Sequence, residues 1–283
     1  MVTLRNLSLE IERELDFVGI DEAKLDARLL ISHVLNLDQI NYAIDKNKLI
    51  SEEDYTVIMH LVSQRLLRVP MSQIFGEKEF WGRLFKVTPN TLTPRPDSET
   101  LIQVALSTGF DKQAGLNILD LGTGTGCLML TLLCELVNAS GLGTDISKEA
   151  LKVAKDNALC LKLTERASFI LSDWTENLHK NKKYDLIISN PPYIGLKEKD
   201  DLAAEVRDHE PKSSLFSGPE GLDDYEKIAS QIEAFMAQDA KIILEIGYRQ
   251  ARDVEKIFLR HGFSNIVIHQ DLAGRDRCLL IKK

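Results

Sequence analysis

From residue 116 onward, short apolar runs alternate with amphipathic stretches, and this alternation restricts the possible folds more than any other feature. The apolar runs are LNILDLG, GLGTDI, ASFILSD, YDLIISN and AKIILEIG. Near-continuous apolar strands joined by amphipathic helices are typical of a parallel sheet that is covered on both faces. We therefore predict an α/β fold with a mostly parallel, Rossmann-like sheet of seven strands.

The final two apolar runs complete this sheet in a different way. SNIVIHQ and RCLLIKK are separated only by DLAGRD, which is too short for a crossover helix, so we predict an antiparallel last strand pair. Helical periodicity indicates helices in CLMLTLLCELV, SKEALKVAKDNAL, residues 222 to about 237, and ARDVEKIFLRHG.

The N-terminal part has a different texture and predicts a small all-α domain over residues 1–75. Apolar residues at helical spacing suggest two buried faces, one formed by Tyr55, Ile58, Met59, Val62 and Leu66, the other by Leu25, Leu29 and His33. Residues 76–97 contain two aromatic and β-branched stretches around Gly82, which predict a hairpin, followed by a proline-rich connector. Residues 98–283 form the third predicted segment. Asp97 or Ser98 is expected to cap its first helix.

Composition excludes several classes of protein. The formal net charge is −8, which argues against a broad electrostatic grip on nucleic acid. Since about 18 consecutive apolar residues are needed to span a membrane and no such run occurs, we expect a cytoplasmic protein without a membrane segment. The four cysteines show no CxxC pair and the six histidines are scattered, so we expect no metal. A monomer is expected.

A glycine-rich loop follows the first strand of this sheet. The sequence LDLGTGTGC places Gly122, Thr123, Gly124, Thr125 and Gly126 between the strand and the next helix. Glycines at such a turn allow the backbone to approach a ligand closely.

Acidic and aromatic residues end the next two strands. Asp145 is placed to accept hydrogen bonds from ribose hydroxyls, Asp173 to accept from an exocyclic amine, and Trp174 to stack on a base. Since the carboxyl ends of parallel strands share one edge of a sheet, these residues and the glycine loop predict an adenosine site there.

The spacing within the loop bears on which nucleotide binds. A dinucleotide fingerprint requires GxGxxG, whereas Cys127 makes the pattern here GxGxG. Together with the antiparallel strand pair, this resembles class I methyltransferases, which use S-adenosyl-L-methionine and release S-adenosyl-L-homocysteine. NAD is the weaker alternative.

The fourth strand ends in an unusual loop, Asn190, Pro191, Pro192 and Tyr193. Two consecutive prolines remove two backbone donors, so this segment continues neither a helix nor a central strand. NPPY resembles the acceptor loop of methyltransferases that act on planar amide or amino nitrogens. The Asn190 carbonyl oxygen and a proline carbonyl would accept both N–H hydrogens of such a group, while Tyr193 would press on its plane.

The loop alone does not distinguish the amide of glutamine from the amino group of adenine or guanine. A base-modifying enzyme must extrude its target and hold phosphates. The chain has no basic helix for this purpose, and residues 1–85 carry more acidic than basic residues.

Several segments occur in the order seen in the peptide chain release factor glutamine methyltransferases (the HemK/PrmC family), over nearly the whole chain. These segments are RVPMSQIFGEKEFWGRLFKVTPNTLTPRPDSETLI, LDLGTGTG, TDIS, NPPYI, HEPKSSLFSGPEGLDDYEKI, LEIGYRQ and DLAGRDR. The resemblance implies methylation of the glutamine in the Gly-Gly-Gln motif of release factors. It also implies that Gly122 to Gly126, Asp145, Trp174 and Asn190 bind the cofactor, and that Asn190 to Tyr193 bind the substrate. The helical domain is then expected to contact the protein substrate.

Two departures from the family pattern are small. Ser98 replaces a threonine and Ser217 replaces a glycine, and neither is expected to touch the chemistry. Arg95 and Glu99 could shape the site or serve the hairpin and helix start. Two other functions stay open: a nucleic-acid amino-group methyltransferase, and a cofactor-binding adaptor that transfers nothing.

Overall fold

The computed structural model describes residues 2–111 and 113–282, and these contain eleven α-helices and nine strands. The helices are α1 Leu4–Phe17, α2 Ala23–Leu35, α3 Gln39–Ile44, α4 Glu52–Leu66, α5 Met71–Phe75, α6 Glu99–Ser107, α7 Cys127–Glu135, α8 Lys148–Cys160, α9 Ala204–His209, α10 Asp223–Ile232 and α11 Ala251–Arg260. The strands are β1 Glu77–Phe80, β2 Arg83–Lys86, β3 Asn117–Leu121, β4 Ser140–Asp145, β5 Ala167–Leu171, β6 Tyr184–Ser189, β7 Met236–Glu245, β8 Asn265–Gln270 and β9 Asp276–Lys282. The chain forms two compact units, residues 1–76 with 204–209, and residues 77–203 with 210–283.

The first unit is a helical bundle. Leu4, Leu7, Ile11 and Leu15 recur at helical spacing on α1 and are fully or almost fully buried. Thr3 caps α1 by accepting a hydrogen bond from the backbone N–H of Asn6, which satisfies one of the free donors at the helix start.

The buried face of α2 differs from the predicted one. Leu29 is exposed, whereas Asp26, Ala27 and Leu30 are buried. Leu25, Leu29 and His33 do lie on one helix, as predicted, but they do not form its buried face. Asp26 is buried because it forms an ion pair of 2.7 Å with the guanidinium of Arg65 on α4.

A distant piece of chain completes this unit. Glu205 on α9 accepts hydrogen bonds from Arg65 at 3.1 Å and from Arg68 at 3.2 Å. Gln73 donates to the main-chain carbonyl of His209 at 3.0 Å. The two units are therefore not two consecutive stretches of sequence.

The second unit contains a seven-stranded sheet in the order β5-β4-β3-β6-β7-β9-β8. The first four pairings in this order are parallel, while β9 runs antiparallel to both β7 and β8. The predicted mostly parallel sheet with an antiparallel end is thus confirmed. One apolar cluster includes residues of α6 and α7, and a second includes residues of α10 and α11.

Some boundaries depart from the predictions. Helix α10 ends at Ile232, and β7 already begins at Met236, where a helix to about 237 was expected. Met236 is buried and pairs with Tyr184 on β6, which favours an extended backbone. The predicted hairpin is present, with both loop residues, Trp81 and Gly82, at positive φ as a type I′ turn requires. Within the described ranges no helix has the length and apolar character to cross a membrane.

Candidate functional site

The carboxyl edge of the parallel strands holds a cavity that encloses about 860 Å³, part of it open to solvent. Most of the sequence-predicted residues line it: Gly122, Gly124, Asp145, Asp173, Trp174, Asn190 and Pro192. We call Gly122, Gly124, Asp145, Asp173 and Trp174 the glycine-loop side, and Asn190 to Tyr193 the NPPY side.

The glycine loop needs its glycines because of backbone geometry. Gly122, Gly124 and Gly126 have φ of 69°, 54° and 81°, in the left-handed region that residues with a Cβ rarely adopt. A Cβ on Gly126 would lie 2.9 Å from a methyl carbon of Leu130, whereas one on Gly124 would meet nothing within 4 Å. Gly124 therefore leaves open space, and Gly126 allows close packing at the start of α7.

Asp145 holds the loop in this conformation. One of its carboxylate oxygens accepts from the backbone N–H of Gly124 at 2.8 Å, and the other accepts from the N–H of Ser147 at 2.8 Å. Burial raises the pKa of Asp145, and these backbone hydrogen bonds oppose that shift. Each oxygen has a second lone pair, so the carboxylate can still accept from a ligand.

Below the loop lies a second carboxylate, Asp120, which is almost fully buried. Its Oδ2 accepts from the Thr123 hydroxyl at 2.6 Å, and its Oδ1 has no hydrogen-bond partner among the described residues. Burial raises its pKa to about 7, and the hydrogen bond from Thr123 lowers it.

Three of the predicted loop residues do not line the cavity. Thr123 and Thr125 are buried, and the main-chain oxygen of Thr125 accepts from the Asn157 side chain at 2.9 Å. Gly126 packs against the following helix. These positions support the loop in the structure, whereas Gly122 and Gly124 face the cavity.

Trp174 is fixed by contacts on two sides. It has a positive φ of 46°, and its ring lies 3.4 Å from the position that a Cβ on Gly122 would take. Its indole N–H donates to Asp224 at 3.1 Å, and the backbone N–H of Asp224 in turn donates to Ser217. Ser217 therefore holds the residue that orients Trp174. Asp224 was not predicted as a site residue, because no local pattern points to it.

On the NPPY side, Asn190 and Pro192 line the cavity, while Pro191 is buried and does not. The Asn190 side-chain nitrogen donates to the Ser98 hydroxyl at 3.2 Å, and that hydroxyl donates to Glu245 at the end of β7. Tyr193 also donates to Glu245, at 3.4 Å. Ser98, one of the two departures from the family pattern, thus contacts Asn190 directly.

Ser98 is also not the helix cap that was expected. Its backbone has helical angles and its side chain makes no cap hydrogen bond, because a short 3₁₀ helix over Pro96–Ser98 precedes α6. Glu99 accepts from the backbone N–H of Trp81 at 2.8 Å, which is the hairpin role considered for it. Arg95 pairs with the almost fully buried carboxylate of Glu210 at 2.7 Å.

Glu245 was not predicted as a site residue, although its position in the sequence indicated one. Like Asp145, it is an acidic residue at the carboxyl end of a sheet strand. Burial raises its pKa to about 7, opposed by the hydrogen bond from Ser98 and the positive charge of Arg277. Burial and the nearby charge of Glu245 raise the pKa of Tyr193, so its phenol stays protonated.

Comparison with known proteins identifies the family. Family models match residues 7–76, described as a PrmC N-terminal domain, and residues 112–245, described as a methyltransferase domain. The release factor glutamine methyltransferase of Cereibacter sphaeroides is 41% identical over 92% of this chain and 91% of its own length. This chain belongs to the release factor glutamine methyltransferase family.

Other relatives are longer. A bifunctional methyltransferase of Rickettsia bellii is 38% identical over 95% of this chain but only 52% of its own length, so the chain spans about half of such relatives. Among solved structures, a methyltransferase from Pyrococcus furiosus matches with a TM-score of 0.53 and 16% identity, covering 78% of this chain and 98% of that one. At this identity the likeness concerns the fold.

Proposed function

We propose that this protein transfers a methyl group from S-adenosyl-L-methionine to the side-chain nitrogen of the glutamine in the Gly-Gly-Gln motif of release factors. The observation that carries the proposal is that Asn190 and Pro192 line the same cavity as Gly122, Gly124 and Asp145. A donor bound on the glycine-loop side and an amide bound on the NPPY side would meet within one cavity. Family membership supports glutamine as the acceptor.

The residues of the cavity suit the cofactor. The open space at Gly124 admits a ligand close to the backbone, and the free lone pairs of Asp145 accept from ribose hydroxyls. Trp174, oriented by Asp224, offers an aromatic face to the adenine. The cofactor, when bound, supplies an electrophilic methyl group on a sulfonium.

The NPPY side would act on the acceptor by orientation. An amide nitrogen is a poor nucleophile because its lone pair is delocalised into the carbonyl. The Asn190 side-chain oxygen and a proline carbonyl accept its two N–H hydrogens, which turns the lone pair toward the methyl group and stabilises the charge that develops on nitrogen. Placement of the reacting atoms at about 3–3.5 Å contributes up to about 7–11 kcal/mol. The methyl carbon would leave the sulfonium as it bonds to nitrogen, with S-adenosyl-L-homocysteine as the leaving group. The surplus proton would then pass to water, so no base is needed before attack.

The test is to incubate the purified protein with labelled S-adenosyl-L-methionine and, separately, a release factor, its Gln→Ala variant in Gly-Gly-Gln, and bulk RNA and DNA. Mass spectrometry then locates the label. We expect one methyl on that glutamine and none on the variant. Label found only on nucleic acid would mean that the methyl acceptor is a base amino group and not glutamine. No label on any of the substrates would favour the cofactor-binding adaptor that transfers nothing.

For the helical unit we propose contact with the protein substrate. Phe17, Ile40 and Ile44 are 91%, 70% and 72% exposed, which is unusual for large apolar side chains on one small unit. Deletion of residues 1–75 is a poor test because residues 204–209 belong to the same unit.

Ile44→Asp is the better test, and we expect it to raise KM for the release factor about tenfold with cofactor Kd unchanged. Val137→Asp, at a 53% exposed position of the other unit, is the control. An unchanged KM in both variants would exclude this surface.

A further inference from the structure

The side-chain amide of Asn190 can present either of two groups to the cavity, its carbonyl oxygen or its NH₂. A half-turn about the last side-chain bond exchanges them with almost no change of shape. Only the oxygen can accept an N–H hydrogen from an acceptor amide. We propose that Glu245, acting through the Ser98 hydroxyl, fixes the Asn190 amide with its oxygen available to the substrate. This inference rests on the proposed function, in which Asn190 binds the acceptor nitrogen.

The hydrogen bonds run in one direction. The Asn190 Nδ2 donates to Ser98 Oγ at 3.2 Å, and Ser98 Oγ donates to Glu245 Oε2. Ser98 is 2% exposed and Glu245 is 1% exposed, so water does not compete for these positions. The amide NH₂ group is therefore held on the side of Ser98.

Charge on Glu245 determines that direction. An ionised carboxylate only accepts hydrogen bonds, so the single hydroxyl proton of Ser98 must point toward Glu245. The Ser98 oxygen then has only lone pairs to offer to Asn190. If Asn190 turned its oxygen toward Ser98, two acceptors would face each other with no proton between them. The reversed amide is thus excluded while Glu245 is ionised.

The same carboxylate holds the other end of the NPPY loop. Tyr193 donates to Oε1 of Glu245 at 3.4 Å, and Tyr225 donates to the main-chain oxygen of Glu245 at 2.9 Å. Ser98 and Glu245 do not line the cavity. They act through Asn190 and Tyr193 and are positioning residues, not groups that touch the substrate.

The test compares Ser98→Ala, Ser98→Thr and Glu245→Gln in the full-length protein, with a release factor as substrate. Ser98→Ala removes the hydroxyl, and we expect kcat to fall about 10- to 100-fold, since a misplaced reactant can cost about 10²-fold. KM for the release factor and the cofactor Kd should stay within about threefold. Glu245→Gln permits both amide orientations and should lower kcat several-fold. Ser98→Thr keeps a hydroxyl at this position and should keep kcat close to that of the wild type.

The matched control is Ser107→Ala at the other end of α6, where the hydroxyl only donates to the main-chain oxygen of Val104. It should behave like the wild type. Thermal unfolding of each variant separates misfolding from loss of positioning. A wild-type kcat in Ser98→Ala, or a Ser98→Thr enzyme as slow as Ser98→Ala, would overturn the inference.

A second readout does not depend on turnover. In protein labelled with ¹⁵N-asparagine, the Asn190 side-chain NH₂ signal, assigned by its loss in Asn190→Asp, should exchange slowly with water in the wild type and rapidly in Ser98→Ala. Equal exchange in both would contradict the hydrogen-bond chain. If the wild type methylates nothing, the proposed function fails, and this signal still decides whether Ser98 holds the amide.

Discussion

The glycine-loop side and the NPPY side of the cavity differ in how far apart in the sequence the contacting residues are. On the glycine-loop side, Asp145 binds backbone groups 2 and 21 residues away. On the NPPY side, Asn190 binds a residue 92 positions away, and that residue binds another 147 positions further along. One side is formed by adjacent strands and turns, and the other by three separate segments that the fold brings together.

This difference predicts a division of labour. The glycine-loop side positions backbone groups around open space, so its variants should change how tightly the cofactor binds. The NPPY side controls the direction of one amide, so its variants should change the rate of transfer from a cofactor that is already bound. The following variants test whether affinity and rate separate in this way.

The largest effect is expected for Asn190→Ala. Loss of an acceptor that stabilises charge in the transition state should lower kcat by about 10²–10³-fold. The cofactor Kd should rise less than tenfold. Single-turnover methyl transfer at saturating cofactor measures the rate, and calorimetry measures the affinity. Asn138→Ala, at an exposed position, is the control. A fall in cofactor affinity as large as the fall in rate would show that the NPPY side does not act on the rate alone.

Asp145→Ala should show the opposite pattern. It removes the acceptor for the N–H of Gly124 and the proposed acceptor for ribose hydroxyls, and hydrogen bonds to a charged group contribute about 1.5–3 kcal/mol each. We expect the cofactor Kd to rise about 10- to 100-fold, while kcat at saturating cofactor stays within about threefold. Asp156→Ala on α8 removes an exposed carboxylate and serves as the control. A large loss of kcat at saturation would mean that the two sides are not separable.

The pH dependence of kcat tests the charge of Glu245, whose pKa is about 7. Protonated Glu245 can donate to Ser98 and so permit the reversed amide, as in Glu245→Gln, and kcat should therefore fall several-fold from pH 8 to pH 6. The fall should vanish in Glu245→Gln. Arg277, Asp97, Tyr193 and Tyr225 also face this carboxylate.

Measurement at saturating cofactor keeps Asp120, which has a similar pKa, from dominating the profile. Ionisation of Glu245, which should raise kcat, lowers the free energy of unfolding. Its folded-state pKa is raised, so its contribution to the free energy of unfolding decreases as pH rises from 4.5 through 7. An inflection that survives in Glu245→Gln would assign the titration to another group.

The smallest effect on the reaction is expected for Gly126→Ala. A Cβ at φ 81° and 2.9 Å from Leu130 strains the loop and should lower the free energy of unfolding by about 1–3 kcal/mol. The rate at saturating cofactor should stay within threefold. Gly262→Ala, at φ 90° with no atom within 4 Å of its Cβ, isolates the backbone strain. It should lower the free energy of unfolding by about 1 kcal/mol less than Gly126→Ala does. Equal losses in the two variants would show that the contact with Leu130 is unimportant.

The same difference in sequence separation explains which features could be predicted from the sequence. The alternation of strands and helices, the antiparallel end of the sheet and the residues at strand ends follow from local patterns, and the structure places most of those residues around one cavity. The partners of Asn190 could not be predicted, because nothing near Ser98 or Glu245 indicates which distant side chain it will contact. The buried face of α2 was misassigned for the same reason, since Asp26 is buried only with Arg65 present.

Residues 204–209 have a consequence for synthesis on the ribosome. The helical unit takes its last helix from a segment that emerges some 130 residues after residue 76. At a synthesis rate of about 5–20 residues per second, this segment is made roughly 7–27 s after the N-terminal helices. During that interval Arg65 and Arg68 lack the carboxylate of Glu205. The first part of the chain to be made is thus completed only after four strands of the sheet have been synthesised.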